Sequence, residues 1–259
     1  MRSRGRWLGM GWLLIAPALA AAWQPVGEAG WPTASEPLAY VQRTLERPRD
    51  AQTVTAHLAL FRSSAYRLTV LDRGAHTASL PDAFRDAGIV AGVNGGFFHS
   101  DGRPLGLVIA QGQRINRVET TRLLSGVLYG DDRGIHLLRR ARFRDHPGID
   151  ALVQSGPYLV ENGRAVRGLS AKDASQRTFV ATDWRGHWVL GATRTPLTLA
   201  DLAECLSAPG ALTPWPVERA LNLDGGSSSG FFFDRGTGVE PVAMRPWKPV
   251  RNLIGLRPR

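Results

Sequence analysis

Two glycine-rich turns carry the residues whose types and spacing best suit chemistry. Residues 89–98 and 220–233 share one pattern, in which an apolar run leads to a polar residue, two glycines and then aromatic residues. Paired glycines can adopt positive φ and let backbone amides approach a ligand closely, so such turns can present N–H groups to an anion. The first turn carries Asn94, and the second carries Asn222 and Asp224. A carboxylate at a strand end beside a small-residue loop predicts an acid exposed in a cleft.

The second turn also contains the pattern G-x-S-x-G, which would make Ser228 the nucleophile of a serine hydrolase. We interpret this match as accidental for two reasons. The catalytic histidine of that arrangement follows the serine, whereas all six histidines of this chain precede Ser228. The turn would also have to lead into a helix, whereas the three phenylalanines that follow predict a strand. The serines are therefore expected to donate hydrogen bonds to a polar ligand.

Several other ligand classes lack their signatures in the sequence. No Gly-Lys-Ser or Gly-Lys-Thr follows a glycine-rich turn, and no Rossmann fingerprint is present. Because Cys205 is the single cysteine, the chain cannot form an internal disulfide or a cysteine-based zinc or iron–sulfur cluster. Cys205 lies on the apolar side of a predicted helix, which indicates a core residue. The densest basic cluster, residues 133–144, lacks the interleaved aromatics of nucleic-acid binding, so we expect no nucleic-acid partner.

The composition indicates an anionic partner. Lys and Arg number 32 against 22 Asp and Glu, a net charge of +10, and lysine occurs only at Lys172 and Lys248. By itself this excess would suit nucleic acid, an anionic membrane surface or a phosphorylated substrate.

Residues 1–22 are predicted to be a secretory signal peptide. Arg2, Arg4 and Arg6 precede an apolar run over residues 7–16, and small residues then offer a cleavage site. The apolar run is short of the roughly 20 residues that a membrane-spanning helix needs. Without the three arginines, 29 basic residues stand against 22 acids, a net charge of +7. We expect a mature protein that is periplasmic or secreted and has no membrane attachment.

The elements that must position the two turns predict one domain. Residues 23–39, rich in Gly, Pro and small residues near their start, are expected to be a flexible leader, and residues 40–259 the domain. Residues 53–61 and 66–72 predict two neighbouring strands, and residues 80–87 and 197–206 predict helices, the second capped by Thr198. Many short strands without a repeat or internal linker predict an α+β fold, a single domain with mixed, largely antiparallel sheets and a few packed helices.

Six motifs, in this order along the chain, resemble the phosphodiester glycosidase family: Asn94-Gly95-Gly96-Phe97-Phe98, Gly106, Gln154-Ser155-Gly156-Pro157, Arg177-Thr178, Asn222-Leu223-Asp224-Gly225-Gly226-Ser227-Ser228 and Arg251-Asn252. The resemblance covers about residues 40–256. The motif that begins at Asn222 is the most specific of the six. Ser227 departs from the family, which often has a third glycine there.

The resemblance implies hydrolysis of a sugar-1-phosphodiester between the sugar C1 and the phosphate oxygen, releasing sugar and a phosphate monoester. A phosphate monoester leaves readily, so the usual need for two spaced carboxylates relaxes. The site must still neutralise phosphate charge, supply one carboxylate and offer donors to the sugar hydroxyls.

Chemistry and motif position together assign the roles. Asp224 is the expected catalytic carboxylate, Asn94 and Asn222 orient the sugar or the attacking water, and Arg177 binds the phosphate with its planar fork. Further donors to the substrate are expected from the amides of Gly95, Gly96, Gly225 and Gly226 and from the hydroxyls of Ser227 and Ser228. Arg251 is expected to be a second ligand for the anion. No cofactor is expected. Asp224 and nearby carbonyls could hold a divalent cation, but no spaced ligand set demands a metal.

Alternatives remain at this point. Asp224 could cap its own turn, Arg177 could pair with Asp173 or Asp183, and Arg251 could be structural. The same cleft could also belong to a non-catalytic periplasmic module that binds an anionic sugar-phosphate or polysaccharide. The sugar, the aglycone and the oligomeric state are left open.

Overall fold

The computed structural model describes residues 23–27, 30–33, 35–74 and 79–259. The predicted signal peptide, residues 1–22, lies outside the described residues. The described residues form two α-helices, α1 (Leu80–Asp86) and α2 (Leu199–Ser207). They also form the strands β1 (Gln24–Pro25), β2 (Leu38–Arg47), β3 (Gln52–Arg62), β4 (Tyr66–Asp72), β5 (Ala91–Asn94), β6 (Val108–Ala110), β7 (Gln113–Arg114), β8 (Gly126–Asp131), β9 (Gly134–Arg139), β10 (Ala151–Ser155), β11 (Tyr158–Glu161), β12 (Arg164–Ala165), β13 (Thr178–Thr182), β14 (His187–Thr193), β15 (Arg219–Asn222), β16 (Phe231–Phe233), β17 (Val242–Met244) and β18 (Asn252–Pro258).

The strands form three sheets. An eight-stranded sheet has the order β1-β2-β3-β14-β13-β15-β11-β12, and two five-stranded sheets have the orders β7-β6-β10-β8-β9 and β17-β16-β5-β18-β4. Each pair of neighbouring strands is antiparallel. The α+β class with largely antiparallel sheets is therefore confirmed.

The largest hydrophobic cluster joins all three sheets. It contains Val93 of β5, Leu128 of β8, Val153 of β10 and Leu221 of β15, all essentially inaccessible to solvent. Burying such side chains removes about 25 cal/mol per Å² of apolar surface from water, which fixes the sheets relative to one another. The ends of β5, β10 and β15 are thereby held in one region of the molecule.

The two helices pack in two further hydrophobic clusters, one for each helix. In α1 Ser79 caps the N-terminus by accepting from Asp82 N, and Phe84 packs against Phe232 of β16. In α2 Thr198 accepts from Asp201 N, as the sequence predicts, and Cys205 is buried against the eight-stranded sheet. Each hydroxyl satisfies an amide that the helix leaves unpaired.

Two sequence expectations differ from the structure. Part of the predicted leader is ordered on the fold, because Gln24 and Pro25 pair with β2 and the Trp23 side chain is only 3% exposed. Trp23 also stacks on the guanidinium of Arg47, a contact that no local pattern reveals. The two neighbouring strands are present as β3 and β4, but β3 lies in the eight-stranded sheet and β4 in a five-stranded sheet.

Candidate active site

The two glycine-rich turns come from different sheets and meet through backbone and side-chain hydrogen bonds. The first follows β5, at the centre of a five-stranded sheet, and the second follows β15 in the eight-stranded sheet. Asn94 Nδ2 donates to Asp224 O at 2.7 Å, and Asp224 N donates to Gly95 O at 3.0 Å. Residues 130 positions apart are thus fixed side by side.

Asn94 is a structural junction between the turns. Its side chain is 1% exposed. Oδ1 accepts from Thr178 Oγ1 at 2.7 Å and from Gly230 N at 2.9 Å, while Nδ2 donates to Asp224 O. Buried amide groups with such a complete set of partners hold backbone in place and have little capacity left for a ligand. The geometry therefore favours a positioning role for Asn94 over the predicted direct contact with sugar or water.

Asp224 presents a half-buried carboxylate at this junction. Oδ1 accepts from Gly225 N at 3.0 Å, and Ser228 donates a side-chain hydrogen bond to the same carboxyl group. Burial raises the pKa of Asp224 above its ordinary value, and the hydrogen bonds and the charge of Lys248 oppose that rise. A carboxylate made more basic by desolvation is suited to accept a proton or attack an electrophilic carbon.

Ser228 is buried at 1% exposure and faces Asp224, whereas Ser227 is exposed. Residues 226–228 form a short 3₁₀ turn, and the chain continues into β16 as the sequence predicts. This geometry differs from the strand-to-helix elbow of serine hydrolases. Ser228 therefore supports the carboxylate, and Ser227 keeps a hydroxyl at the surface of the turn.

Arg177 lies beside the second turn. A Cβ atom on Gly225 would lie 3.8 Å from Arg177 Cδ, so the Arg177 side chain runs next to the turn. Arg177 Nε donates to Leu197 O at 2.8 Å and Nη2 to Asp173 O at 2.7 Å. Both acceptors are neutral carbonyls, and burial lowers the pKa of the guanidinium. Within the described part of the chain, Arg177 forms no ion pair with the carboxylate of Asp173 or Asp183, and its charge is left for an anion.

The four predicted amide donors are all used within the protein. Gly95 N donates to Asn252 O, Gly96 N to Asn252 Oδ1, Gly225 N to Asp224 Oδ1 and Gly226 N to Gln176 O. The expectation that these amides bind the substrate is therefore not supported. The glycines serve close packing instead: a Cβ on Gly95 would lie 1.9 Å from Asn252 Oδ1, and one on Gly225 would lie 2.8 Å from Gln176 O.

Arg251 does not serve as the predicted second anion ligand. Its Nε and Nη2 donate to the two carboxylate oxygens of Asp72, each at 2.7 Å, and both side chains are 18% exposed. This bidentate pair joins the start of β18 to the end of β4 and neutralises the guanidinium.

Asn222 is buried beside residues of the six family motifs that have no role assigned from the sequence. Asn222 Nδ2 donates to Gly156 O at 2.9 Å, while Asn222 Oδ1 has no hydrogen-bond partner. The same is true of Ser155 Oγ and Asn252 Nδ2, and Gly96 lies between these two side chains. Buried polar atoms without partners are uncommon and mark a polar interior that water or a ligand group can satisfy. The sequence signal that could have identified Ser155 and Asn252 as site residues is their place in two of the six family motifs.

Lys248 is a site residue that the sequence did not assign. Its charge acts on Asp224, and its Nζ lies 5.6 Å from the centre of the Phe98 ring, just beyond the first turn. Lys248 therefore lies near both turns. Asp224, Arg177, Ser227 and Lys248 keep capacity for a ligand in this region, in addition to the unpartnered buried atoms of the Asn222, Ser155 and Asn252 side chains.

The surroundings give no indication of a metal centre. Among the described residues, no group of three or more His, Cys, Asp or Glu side chains converges as metal ligands do.

None of the helices in the described ranges is long and apolar enough to cross a membrane. A cavity of about 540 Å³ lies around Asp131 and Asp150, at the end of β8 remote from Ser155, and is separate from the two turns.

Solved structures share the fold. The zebrafish N-acetylglucosamine-1-phosphodiester alpha-N-acetylglucosaminidase catalytic domain, auto-inhibited by its pro-peptide, matches with a TM-score of 0.66 and 16% identity over 92% of this chain and 89% of that one. A protein from Burkholderia pseudomallei named as exported matches with a TM-score of 0.52 and 14% identity over 80% and 75%. A hypothetical protein from Synechocystis gives 0.55 and 17% over 87% and 64%.

Comparisons of sequence place the chain in a family. No curated protein matches it significantly. The family model described as phosphodiester glycosidase matches residues 87–257, a span that includes both turns, Arg177 and Lys248. Because that model covers more than half of the chain, the protein belongs to the phosphodiester glycosidase family.

Proposed function

We propose that this protein is a hydrolase that cleaves a sugar-1-phosphodiester linkage of an envelope or exopolysaccharide-type glycan, releasing sugar and a phosphate monoester. The observation that carries the proposal is the half-buried carboxylate of Asp224, which is raised in pKa and stands on a backbone that Asn94 holds where the two turns meet. Lys248 acts on this carboxylate with its positive charge, and Arg177 adds a second positive charge next to the same turn; within the described residues neither forms an ion pair with Asp224.

Asp224 acts at the sugar C1. As a general base it takes a proton from water while the water oxygen bonds to C1, and the C1–O bond to phosphate breaks with its electron pair on the phosphate oxygen. As a nucleophile it bonds to C1 while the C1–O bond to phosphate breaks with its electron pair on the phosphate oxygen, and water then displaces the carboxylate from C1 and releases a proton. Retention or inversion at C1 in the released sugar, followed by NMR, separates the two routes.

The positive groups act on the phosphate. Arg177 presents the rest of its guanidinium fork, because two of its N–H groups are already anchored to Leu197 O and Asp173 O. Anchoring holds the fork in place before substrate binds, which reduces the entropy lost on binding. Lys248 adds a point charge near Asp224. Together they stabilise the phosphate monoester as negative charge accumulates on its leaving oxygen.

The test is hydrolysis of alpha-linked sugar-1-phosphodiesters by the purified mature protein, with release of reducing sugar and phosphate monoester measured together. In ¹⁸O-labelled water the label is expected in the sugar, because the C1–O bond breaks. Asp224→Asn is expected to lower kcat by about a thousandfold or more, while Asp132→Asn, on an exposed turn far from the site, keeps activity.

Two further variants test the assigned groups. Arg177→Lys keeps the charge but loses the fork, and is expected to lower kcat/KM by about tenfold to a hundredfold. Ser228→Ala is expected to retain part of the activity, and a fluorophosphonate probe is expected to leave Ser228 unlabelled. Full activity of Asp224→Asn would remove Asp224 from the mechanism. Salt-sensitive binding of the intact substrate without any hydrolysis would favour a non-catalytic glycan-binding module instead.

The proposal includes export to the periplasm or the medium. The predicted signal peptide over residues 1–22 supports it, and the Burkholderia pseudomallei relative is named as exported. Fractionation of producing cells, with the N-terminus of the mature protein sequenced, tests it. An uncleaved protein in the cytoplasm would contradict it.

A further inference from the structure

The segment of residues 245–250, between β17 and β18, lies against the Asp224 turn. Trp247 N donates to Ser227 O at 2.8 Å. Pro246 packs where Gly230 has no side chain, since a Cβ there would lie 3.0 Å from both Pro246 Cδ and Pro246 Cγ. These two anchors make the segment a wall of the candidate active site.

A small positively charged cavity lies along this wall. Its volume is about 210 Å³, and Arg73, Arg245 and Lys248 line it, while the other described lining residues are uncharged. Trp247, which lines the cavity, is bound through its backbone amide to Ser227 O, so the cavity adjoins the Asp224 turn. A concave surface with cations and no acid among its described lining concentrates anions.

Trp247 stands out from this wall at 84% exposure, the highest value among the exposed large hydrophobic side chains of the described residues. Pro246 and Pro249 flank it closely and restrict the backbone that carries it. Tryptophan is normally well buried, so an indole held in solvent beside a polar cavity is unusual. Its flat apolar face suits the C–H face of a sugar ring.

We propose that this cavity and Trp247 form a leaving-group subsite for a sugar that carries a second anionic group. The sugar stacks on Trp247 and Arg245 holds the second anion, while Lys248, between the cavity and the Asp224 turn, serves the scissile phosphate. The inference rests on the proposed function and narrows its substrate class: the protein cuts within a chain of sugars joined by phosphodiesters, because such a chain supplies a further sugar and a further phosphate on the leaving-group side.

The test compares three sugar-1-phosphodiesters that differ only in the leaving group, which is methyl phosphate, hexose phosphate or a hexose phosphate bearing a second phosphate. The wild-type kcat/KM is expected to rise along this series, by about tenfold at each addition. Arg245→Gln should lower the kcat/KM of the third substrate relative to that of the second about tenfold. Trp247→Ala should lower the kcat/KM of the second substrate relative to that of the first. Arg133→Gln, on a distant exposed turn, serves as the matched charge control.

Binding provides a second readout that does not need turnover. In an Asp224→Asn background the third substrate is expected to bind about tenfold more tightly than the second at low salt, and Arg245→Gln should abolish this difference. If no substrate is hydrolysed but this difference in binding persists, the proposed function fails and the subsite stands. If wild type hydrolyses all three equally and Arg245→Gln changes no ratio, the function stands and the subsite is wrong.

An exposed tryptophan beside cations is also found where proteins touch anionic membranes. Cosedimentation with vesicles of phosphatidylglycerol and phosphatidylcholine measures this alternative. Vesicle binding that Trp247→Ala abolishes, together with unchanged substrate ratios, would overturn the subsite and assign the wall to a membrane contact.

Discussion

Asn94 Nδ2 donates to Asp224 O at 2.7 Å, so a side chain of the first turn holds the backbone of the second turn in place. The same asparagine accepts from Thr178 and Gly230, which ties β13 and the start of β16 to this junction. The position of the proposed catalytic carboxylate is therefore set from outside its own turn.

Asn94→Asp tests this relationship, because an aspartate of the same shape cannot donate to Asp224 O. The free energy of unfolding is expected to fall by about 2 kcal/mol or more, since a buried acceptor loses its donor. The added negative charge should also raise the pKa of Asp224, moving the acid limb of the kcat/KM profile to higher pH. Asn162→Asp, on an exposed turn, is the control. An unchanged pH profile would limit Asn94 to a general structural role.

Asp224→Asn is expected to stabilise the protein while removing activity. Burial raises the pKa of Asp224, so the folded protein binds this proton more tightly than the unfolded chain does. At pH values above the folded pKa the ionised carboxylate therefore costs stability, and below the unfolded pKa the cost disappears. Asparagine can keep both hydrogen bonds, accepting from Gly225 and donating to Ser228. Thermal unfolding should show a higher Tm for the variant at pH 7, with the difference shrinking towards pH 3. A lower Tm at pH 7 would contradict the argument.

Gly95→Ala is expected to disrupt the first turn. The new Cβ would lie 1.9 Å from Asn252 Oδ1 and 3.1 Å from Asn252 O, and no rotation of the alanine relieves either contact. Overpacking of this kind costs about 1–3 kcal/mol or more. Gly30→Ala is the matched control, because its Cβ would meet nothing within 4 Å and its φ is not in the left-handed region. Urea unfolding should separate the two variants, and equal midpoints would refute the close packing at Gly95.

His57 gives the fold a pH dependence independent of Asp224. The ring is 5% exposed, contacts the rings of both Tyr40 and Phe231, and has Nδ1 2.8 Å from the Tyr40 hydroxyl oxygen. Burial, with a smaller contribution from the charge of Arg194, lowers its pKa from 6.5 to about 4.

The unfolded chain therefore protonates His57 at a higher pH than the folded protein does. The stability contributed by the neutral ring is fully present above pH 6.5 and is lost as the pH falls towards 4. Each pKa unit corresponds to about 1.4 kcal/mol, so the loss is of order 3 kcal/mol. Urea unfolding from pH 7.5 to 4 measures it. His57→Phe should flatten this slope, whereas His99→Phe, at an exposed position, should leave it intact.

Local sequence patterns determined most of the elements and the two turns. The apolar residues of 66–72 and the three consecutive phenylalanines of 231–233 placed β4 and β16 at their observed bounds, and the hydroxyl of Thr198 marked the start of α2 one residue before it begins. These features depend on side chains within a few positions of one another, so one-dimensional spacing carries them. The motif order also carried the family, which the model match over residues 87–257 bears out.

Tertiary structure decided which groups of the turns are available to a ligand. The amides of Gly95 and Gly226 find acceptors on Asn252 and Gln176, Arg251 finds Asp72 at a separation of 179 residues, and Lys248 is brought near Asp224. The order of the strands in the sheets sets each of these pairings. Hydrogen bonds and ion pairs between distant residues form only when packing brings their partners together, so the sequence determined the chemical groups of this site, and the fold decided which of them face a ligand.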